Sequence, residues 1–115
     1  FINSPKVTIM ESMFKELFDT IEDRKGKAPS ESYVSSLMSK GTVKINSKIT
    51  EEAAEVCEAA LEDDKSHLLY EICDLLFHTF VLAGYKNITL EDIEAELRRR
   101  HGTSGLVEKA SRGAK

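Results

Sequence analysis

The chain has 115 residues, of which 41% are hydrophobic and 31% charged, so it suits one globular domain and not an intrinsically disordered segment. Its net charge of −4 argues against a general nucleic-acid-binding protein. The first residues lack the apolar core and cleavage site of a signal peptide, and the longest apolar run, 68–84, is interrupted by charges and short for a bilayer. Cys57 and Cys73 fall in apolar segments, which favours packed, reduced thiols. We therefore expect a cytoplasmic protein that binds neither membranes nor nucleic acids.

Helical periodicity dominates the sequence, and no segment has a convincing strand pattern. The boundaries come from a capping box opened by Thr8, from glycines at Gly41 and Gly84 that stop helices, from the polar turn 62–65 and from a second cap at Thr89. The predicted helices span about 8–24, 31–40, 43–62, 66–83 and 90–101. These elements predict an all-α domain, an antiparallel helical bundle built around the hairpin of the two longest helices.

The domain is predicted to cover residues 1–106, and a basic tail, mobile or only locally ordered, residues 107–115. A domain this small, with a site built from one hairpin, is expected to gain its remaining wall from a second copy. We therefore expect a homodimer.

The helix that contains "HLLYEICDLLFHTF", residues 67–80, is apolar nearly all round, yet it carries Glu71, Asp74 and His78 within an arc of about 60°. Such a helix is buried, so its polar stripe is expected to face the bundle. His78 fits equally well a core histidine bonded to Asp74 or a catalytic role.

The preceding helix carries Glu51, Glu52 and Glu55 within an arc of about 100°. In an antiparallel hairpin centred on residue 63, Glu52 lies beside Asp74 and Glu55 beside Glu71. Glutamates at such spacing are common on solvated helix faces, but the second acidic pair is embedded in apolar sequence. Carboxylates crowded in this way need raised pKa values or a cation, and an all-oxygen ligand set favours Mg²⁺ or Mn²⁺ over zinc.

The acidic segments, "EEAAE" at 51–55 and "EICD" at 71–74, resemble the E-E-x-x-E and E-x-x-D signature of the MazG-like all-α nucleotide pyrophosphohydrolases. Within that superfamily the chain resembles the phosphoribosyl-ATP pyrophosphohydrolases of histidine biosynthesis, from about Met13 to Ala110. The segments that carry this closer resemblance are "IEDRK" at 21–25, "SYVSSL" at 32–37, "KGTVKINSK" at 40–48, "DLLFHTFVL" at 74–82 and "RRHGTSGLVEKA" at 99–110. Thr50 departs from the family, which usually has glycine before the paired glutamates.

The resemblance implies hydrolysis of phosphoribosyl-ATP to phosphoribosyl-AMP and pyrophosphate with Mg²⁺, or Mn²⁺ in its place. Breaking a phosphoanhydride needs charge neutralisation and a positioned water more than covalent chemistry. Glu51 is the candidate for orienting or deprotonating the attacking water, or for holding a second metal ion. The expected metal ligands are Glu52, Glu55, Glu71 and Asp74.

Three basic residues are candidates for binding the substrate phosphates. Lys48 lies one turn before the acids, Lys44 one turn further back, and Arg100 belongs to the C-terminal family segment. The lysines are equally consistent with a solvated flank that pairs with Glu52, and Arg100 with a helix C-terminal dipole contact. The resemblance also implies a homodimer and, in some organisms, fusion to a phosphoribosyl-AMP cyclohydrolase.

Two alternative functions remain open at this stage. The same acids could serve a related enzyme that cleaves canonical or damaged (deoxy)nucleoside triphosphates, but the flanking family segments have no reason to appear there. A non-catalytic helical dimerisation module is the other alternative, and the five intact acids argue against it.

Overall fold

The computed structural model describes residues 5–102 and 105–112, with side chains from Met13 onward except those at positions 107 and 108. Every regular element in these ranges is an α-helix, so the predicted all-α class is confirmed. Helices α2 and α3 form a long antiparallel hairpin, against which α1 packs. The helices are α1 (Pro5–Arg24), α2 (Tyr33–Ala60), α3 (Lys65–Tyr85), α4 (Leu90–Arg100) and α5 (Gly105–Ser111).

Helix α1 begins at Pro5, so the prediction that Thr8 caps its N-terminus is wrong. Proline is well suited to the first helical turn, because its missing N–H would have no intrahelical partner there. The side chains of Thr8 and Glu11 lie outside the described residues. The helix ends at Arg24, close to the predicted position.

Helix α2 is kinked at Gly41, where the backbone takes φ +86° and ψ −176°. Glycine adopts this positive φ without the steric cost that a Cβ would impose. The glycine therefore separates a short and a long helical segment, as the sequence predicts, although the two join into one bent element. Helix α2 begins at Tyr33, two residues later than predicted, and its N-cap is Ser32, whose hydroxyl accepts a hydrogen bond from the Ser35 amide at 3.2 Å.

The core lies where α1 and α2 meet the second half of α3. Ile21, Ile45 and Val81 are fully buried, one from each of these three helices. Val34 and Leu37, at the start of α2, complete the buried cluster, and a ring of partly buried apolar side chains packs around it. This packing fixes the hairpin. It thereby fixes the position of the polar residues Glu71, Asp74 and His78, which precede Val81 on α3.

Gly84 does not stop α3, contrary to the prediction, because the helix continues to Tyr85. Its role is close packing: a Cβ added at Gly84 would lie 2.8 Å from Cγ2 of the buried Ile21. The absent side chain lets α1 approach α3, which sequence periodicity could not reveal.

Helix α3 has 21 residues and is long and apolar enough to cross a membrane, so the argument that the apolar run is too short fails. Three polar groups, Glu71, Asp74 and His78, nevertheless lie in its middle. The helix packs against α1 and α2. Helix α3 is therefore covered on the side that faces these two helices, while Leu69 and Leu76 on another side stay exposed.

Two further predictions concern the cysteines and the C-terminal region. Cys57 and Cys73 are both free and exposed, so the expectation of packed thiols is wrong. Helix α4 has the predicted capping box, in which Thr89 and Asp92 exchange side-chain to backbone hydrogen bonds of 3.0 Å. The proposed boundary after residue 106 falls within α5 and stays a prediction.

We expect Gly84→Ala to lower the free energy of unfolding by about 1–3 kcal/mol, because the new methyl group would clash with Ile21 in a packed core. Urea denaturation would measure the loss. Gly26→Ala is the matched control, since nothing lies within 4 Å of a Cβ there, and it should change stability by less than about 0.5 kcal/mol. Equal effects of the two substitutions would contradict this account of Gly84.

Candidate metal centre

Glu52 is the centre of an acidic cluster between α2 and α3 and is only 4% exposed. One carboxylate oxygen from Glu52, one from Asp74 and a ring nitrogen of His78 lie within 4.8 Å of one another. A second triple with the same spacing joins Glu52 to Glu51 and Glu55 on its own helix. The structure therefore brings Glu52 and Asp74 together across the hairpin, in keeping with the register centred on residue 63.

The position of Glu52 raises its pKa to about 7, first because burial penalises the charged form and then because the Asp74 and Glu55 carboxyls lie close by. The hairpin thus forces an acidic side chain into a place where its own charge is unfavourable. A nearby cation would relieve this cost.

Two buried carboxylate oxygens, Oε1 of Glu52 and Oε1 of Glu71, have no hydrogen-bond partner among the described residues. A buried polar atom without a partner costs free energy, and native structures rarely keep one without a reason. In the ionised carboxylates both atoms are acceptors, so the partner that each one lacks is a donor or a cation.

Glu71 is buried, and a histidine holds its other oxygen: Nε2 of His67 donates to Glu71 Oε2 at 3.1 Å. Nδ1 of the same ring lies 2.8 Å from Glu62 Oε1, so both nitrogens donate when the ring is protonated and cationic. The hydrogen bond to Glu62, followed by the one to Glu71, raises the pKa of His67. His67 therefore fixes the orientation of the Glu71 carboxylate, whose free Oε1 stays buried.

Lys48 is the basic side chain that reaches the acids. Its Nζ lies 3.1 Å from Glu51 Oε1 and 3.9 Å from Glu52 Oε2. The hydrogen bond to Glu51 raises the pKa of Lys48, so the ammonium keeps its charge. Glu51 itself is exposed, at the rim of the cluster. Even with a protonated His67 beside Glu71, two cations do not balance five acids, so the ionised cluster keeps a net negative charge.

The other two predicted phosphate-binding residues do not join the cluster within one chain. Lys44 is exposed, and among the described residues its ammonium has no ion-pair partner. Arg100 donates from Nε to Glu96 Oε2 at 2.8 Å, on its own helix. Arg99 and Arg100 together lower the pKa of Glu96 to about 2 through these hydrogen bonds.

His78 is buried, and both of its ring nitrogens are engaged by protein groups. Nδ1 lies 2.8 Å from the main-chain oxygen of Asp74, and Nε2 lies 2.8 Å from the Tyr33 hydroxyl. The Asp74 carboxylate is further away, at 3.9 Å from Nδ1. His78 is therefore a core histidine bonded to Asp74, one of the two readings that the sequence left open, and the bond is to the main-chain oxygen.

Sequence reasoning assigned no contact to His67 or to Tyr33. The His67 contact had a signal, because His67 precedes Glu71 by four residues and such pairs meet on a helix. The Tyr33 contact had none, since it joins residues 45 positions apart. Thr50, the departure from the family pattern, lies in regular helix and does not disturb α2.

The residues present fit a hard divalent cation. The donors include carboxylate oxygens from two neighbouring helices, and Oε1 of Glu52 at their centre is buried without a partner among the described residues. Glu71, whose Oε1 is likewise buried without a partner, lies outside both close triples. Mg²⁺ prefers such oxygen ligands. The fold and the cluster together define an all-α protein with a carboxylate centre suited to divalent-metal chemistry.

Comparison with known proteins gives the particular family. The family model described as phosphoribosyl-ATP pyrophosphohydrolase matches residues 14–101. A phosphoribosyl-ATP pyrophosphatase of Neisseria meningitidis serogroup B is 48% identical over 102 residues, 89% of this chain and 95% of that protein. Proteins of the same name from Chromobacterium violaceum and Geobacter metallireducens are 50% and 47% identical, covering 87% and 89% of this chain and 93% and 94% of their own. The chain belongs to the phosphoribosyl-ATP pyrophosphohydrolase family.

The raised pKa of Glu52 predicts how stability depends on pH in the metal-free protein. Between about pH 4.5 and 7 the folded carboxyl holds a proton that the unfolded one has released, so raising the pH disfavours the folded state. The shift corresponds to at most about 3 kcal/mol, or on the order of 10 °C in Tm.

Thermal unfolding in EDTA from pH 5 to 8 measures this effect. The Tm of the wild type should fall relative to that of Glu52→Gln, whereas Glu58→Gln, an exposed acid on the same helix, should follow the wild type. Added Mg²⁺ should raise the Tm most at pH 8, where the ligands are ionised. Parallel pH profiles for the wild type and Glu52→Gln would contradict the prediction.

Proposed function

We propose that the protein hydrolyses the α–β phosphoanhydride of phosphoribosyl-ATP, giving phosphoribosyl-AMP and pyrophosphate, in an Mg²⁺-dependent step of histidine biosynthesis. Membership of the family and the names of the close relatives support the substrate. The observation that carries the chemistry is the pair of buried, unpartnered carboxylate oxygens on Glu52 and Glu71, which lie on the two helices of one hairpin.

Four carboxylates are proposed to hold the metal ion: Glu52, Glu55, Glu71 and Asp74. When bound, Mg²⁺, or Mn²⁺ in its place, neutralises phosphate charge and lowers the pKa of a coordinated water. The chain supplies the setting: burial keeps Glu52 away from bulk solvent, and His67 holds Glu71 in one orientation.

Glu51 has a different proposed role. It is exposed and hydrogen-bonded to Lys48, so it borders the buried ligands without sharing their burial. A carboxylate at that rim can accept a hydrogen bond from the attacking water and orient it, or contribute to a second metal ion.

Lys48 is proposed to bind the substrate phosphates, because its ammonium lies 3.1 Å from Glu51 and 3.9 Å from Glu52, at the rim of the acids. Lys44, one turn earlier and exposed, extends the same flank. Arg100 is also proposed to bind phosphate, because it lies in the segment 99–110 that resembles the family. Within this chain its side chain donates a hydrogen bond to Glu96.

Pyrophosphate release from phosphoribosyl-ATP, and from a panel of nucleoside triphosphates as competitors, tests the function. We expect turnover of phosphoribosyl-ATP that EDTA abolishes. Glu52→Gln should lower kcat/KM by more than about 100-fold, because mutating a residue that merely hydrogen-bonds a metal ligand already lowers activity about 10- to 100-fold. Glu58→Gln should retain activity. Preference for an ordinary nucleoside triphosphate would overturn the assignment.

Metal titration separates the proposed roles of the glutamates. Glu51→Gln should lose turnover while keeping most of the metal affinity, whereas Glu52→Gln should lose both. An equal loss of affinity in the two variants would show that the division is wrong.

A homodimer is also proposed, on the basis of an apolar face of α3 that the chain leaves uncovered. Leu69, Ile72, Cys73 and Leu76 fall within an arc of about 100°, on the side of the helix away from the acids. Leu69 is 62% exposed and Leu76 40% exposed, although α3 is the most apolar helix. A second copy would remove this surface from water and stabilise α3.

Light scattering at micromolar concentration tests the dimer. We expect twice the mass of one chain for the wild type and a monomer for Leu76→Glu, because a charge in an apolar interface is costly. Leu97→Glu places the same change on α4, outside this face, and should stay dimeric. A wild-type monomer that turns over substrate would contradict the proposal.

The remaining parts of the proposal concern cellular context. A biosynthetic enzyme with nucleotide substrates and two free cysteines is consistent with a cytoplasmic location. A link to a phosphoribosyl-AMP cyclohydrolase, which would consume the product, is proposed on the family resemblance alone.

A further inference from the structure

The buried His78 and the Tyr33 hydroxyl form a hydrogen-bonded pair, and in the neutral ring the contacts of the two nitrogens assign its donor and acceptor. A main-chain carbonyl oxygen only accepts, so Nδ1 of His78 donates to Asp74. In the neutral imidazole the other nitrogen, Nε2, is then an acceptor. The Tyr33 hydroxyl, 2.8 Å from Nε2, therefore donates its single hydrogen to His78.

This pairing argues against His78 as a metal ligand. A ligating nitrogen must present its lone pair to the metal, but Nδ1 carries a hydrogen and the Nε2 lone pair is taken by Tyr33. His78 instead acts through Tyr33, whose side chain it anchors.

Tyr33 lies at the rim of the acidic cluster and remains reachable from solvent. It is the first residue of α2 and is 51% exposed. Its ring stacks on Phe77, with centroids 6.2 Å apart and planes at 16°, and meets His78 edge to face. The side chain is therefore fixed by two residues of α3 but not covered by them.

The charged groups near Tyr33 tie its hydroxyl to the site. The pKa of Tyr33 is raised, first of all by burial. The charge of Lys48 lowers it, and the charges of Asp74 and Glu52 raise it. The phenol keeps its proton at neutral pH, as donation to His78 requires.

A hydroxyl whose hydrogen is committed can only accept hydrogen bonds. Phosphate oxygens are acceptors too, so Tyr33 is unsuited to recognise the polyphosphate. The donors on a nucleotide are the sugar hydroxyls and the exocyclic amine of the base. The ribose is joined to the α-phosphate, so its hydroxyls lie nearer to a metal-bound polyphosphate than the amine does.

We propose that Tyr33, anchored by His78, is a specificity-determining residue that accepts a hydrogen bond from a hydroxyl of the ribose next to the scissile polyphosphate. The inference rests on the proposed function, because it places a ribonucleotide polyphosphate at the acidic cluster. It adds a contact to the sugar that neither the metal ligands nor the lysines supply.

Steady-state kinetics on phosphoribosyl-ATP and on its 2′-deoxy and 3′-deoxy analogues in the adenosine ribose test this role. Tyr33→Phe keeps the ring and its packing but removes the acceptor, so we expect KM for phosphoribosyl-ATP to rise roughly 3- to 10-fold with kcat little changed. On the analogue that lacks the recognised hydroxyl, wild type and variant should have equal KM values.

Tyr70→Phe is the matched control, because Tyr70 is 66% exposed and its hydroxyl has no hydrogen bond in the described part of the chain. Metal affinity should be unchanged in Tyr33→Phe, whereas Tm should fall, because Nε2 of the buried His78 loses its donor. Disappearance of the KM difference on one deoxy analogue separates sugar recognition from this structural effect. A KM penalty that persists on both deoxy analogues, or no penalty on phosphoribosyl-ATP, would overturn the inference. Failure of the wild type to turn over phosphoribosyl-ATP would instead overturn the proposed function.

Discussion

The repulsion between buried carboxylates is the constraint on which the rest of the structure depends. The hairpin of α2 and α3 brings Glu52 and Asp74 together, and burial raises the pKa of Glu52 to about 7. Left without a cation, this arrangement opposes folding. The apolar core around Ile21, Ile45 and Val81 offsets that cost and holds the helices in register. Apolar packing around Val81, near the C-terminal end of α3, thus offsets the unfavourable burial of acids around Asp74.

Helix α3 meets two different demands on its opposite sides. One side carries Glu71, Asp74 and His78 toward α2, and the other exposes apolar residues such as Leu69 and Leu76. A helix in the middle of a bundle would ordinarily be buried all round. The uncovered side explains why this most apolar helix is only partly buried within one chain.

The sequence predicted the parts of the structure that depend on local pattern. The helix class, the hairpin and its register follow from periodicity and from the short polar turn before Asp64, which caps α3. The errors came from packing between distant segments. Gly84 was predicted to end a helix. Its actual role is to leave room for Ile21, which lies 63 positions earlier in the sequence. Cys57 and Cys73 read as buried because apolar neighbours do not reveal which side of a helix is covered.

The same distinction applies to the site. The acids could be found because they repeat along two helices, and His67 could have been found by the same rule. The Tyr33 contact with His78 depends on the path of α2 between its first turn and the hairpin, including the kink at Gly41, so no spacing rule predicts it.

His67 and His78 flank Glu71 and Asp74 on one face of α3, at intervals of four, three and four residues. Each imidazole uses both nitrogens, His67 on two carboxylates and His78 on a carbonyl and a phenol. A side chain held by two hydrogen bonds has already lost its rotamer freedom on folding, so that loss is not repeated when a ligand binds. The histidines therefore serve the site best by staying away from the metal and fixing the groups around it.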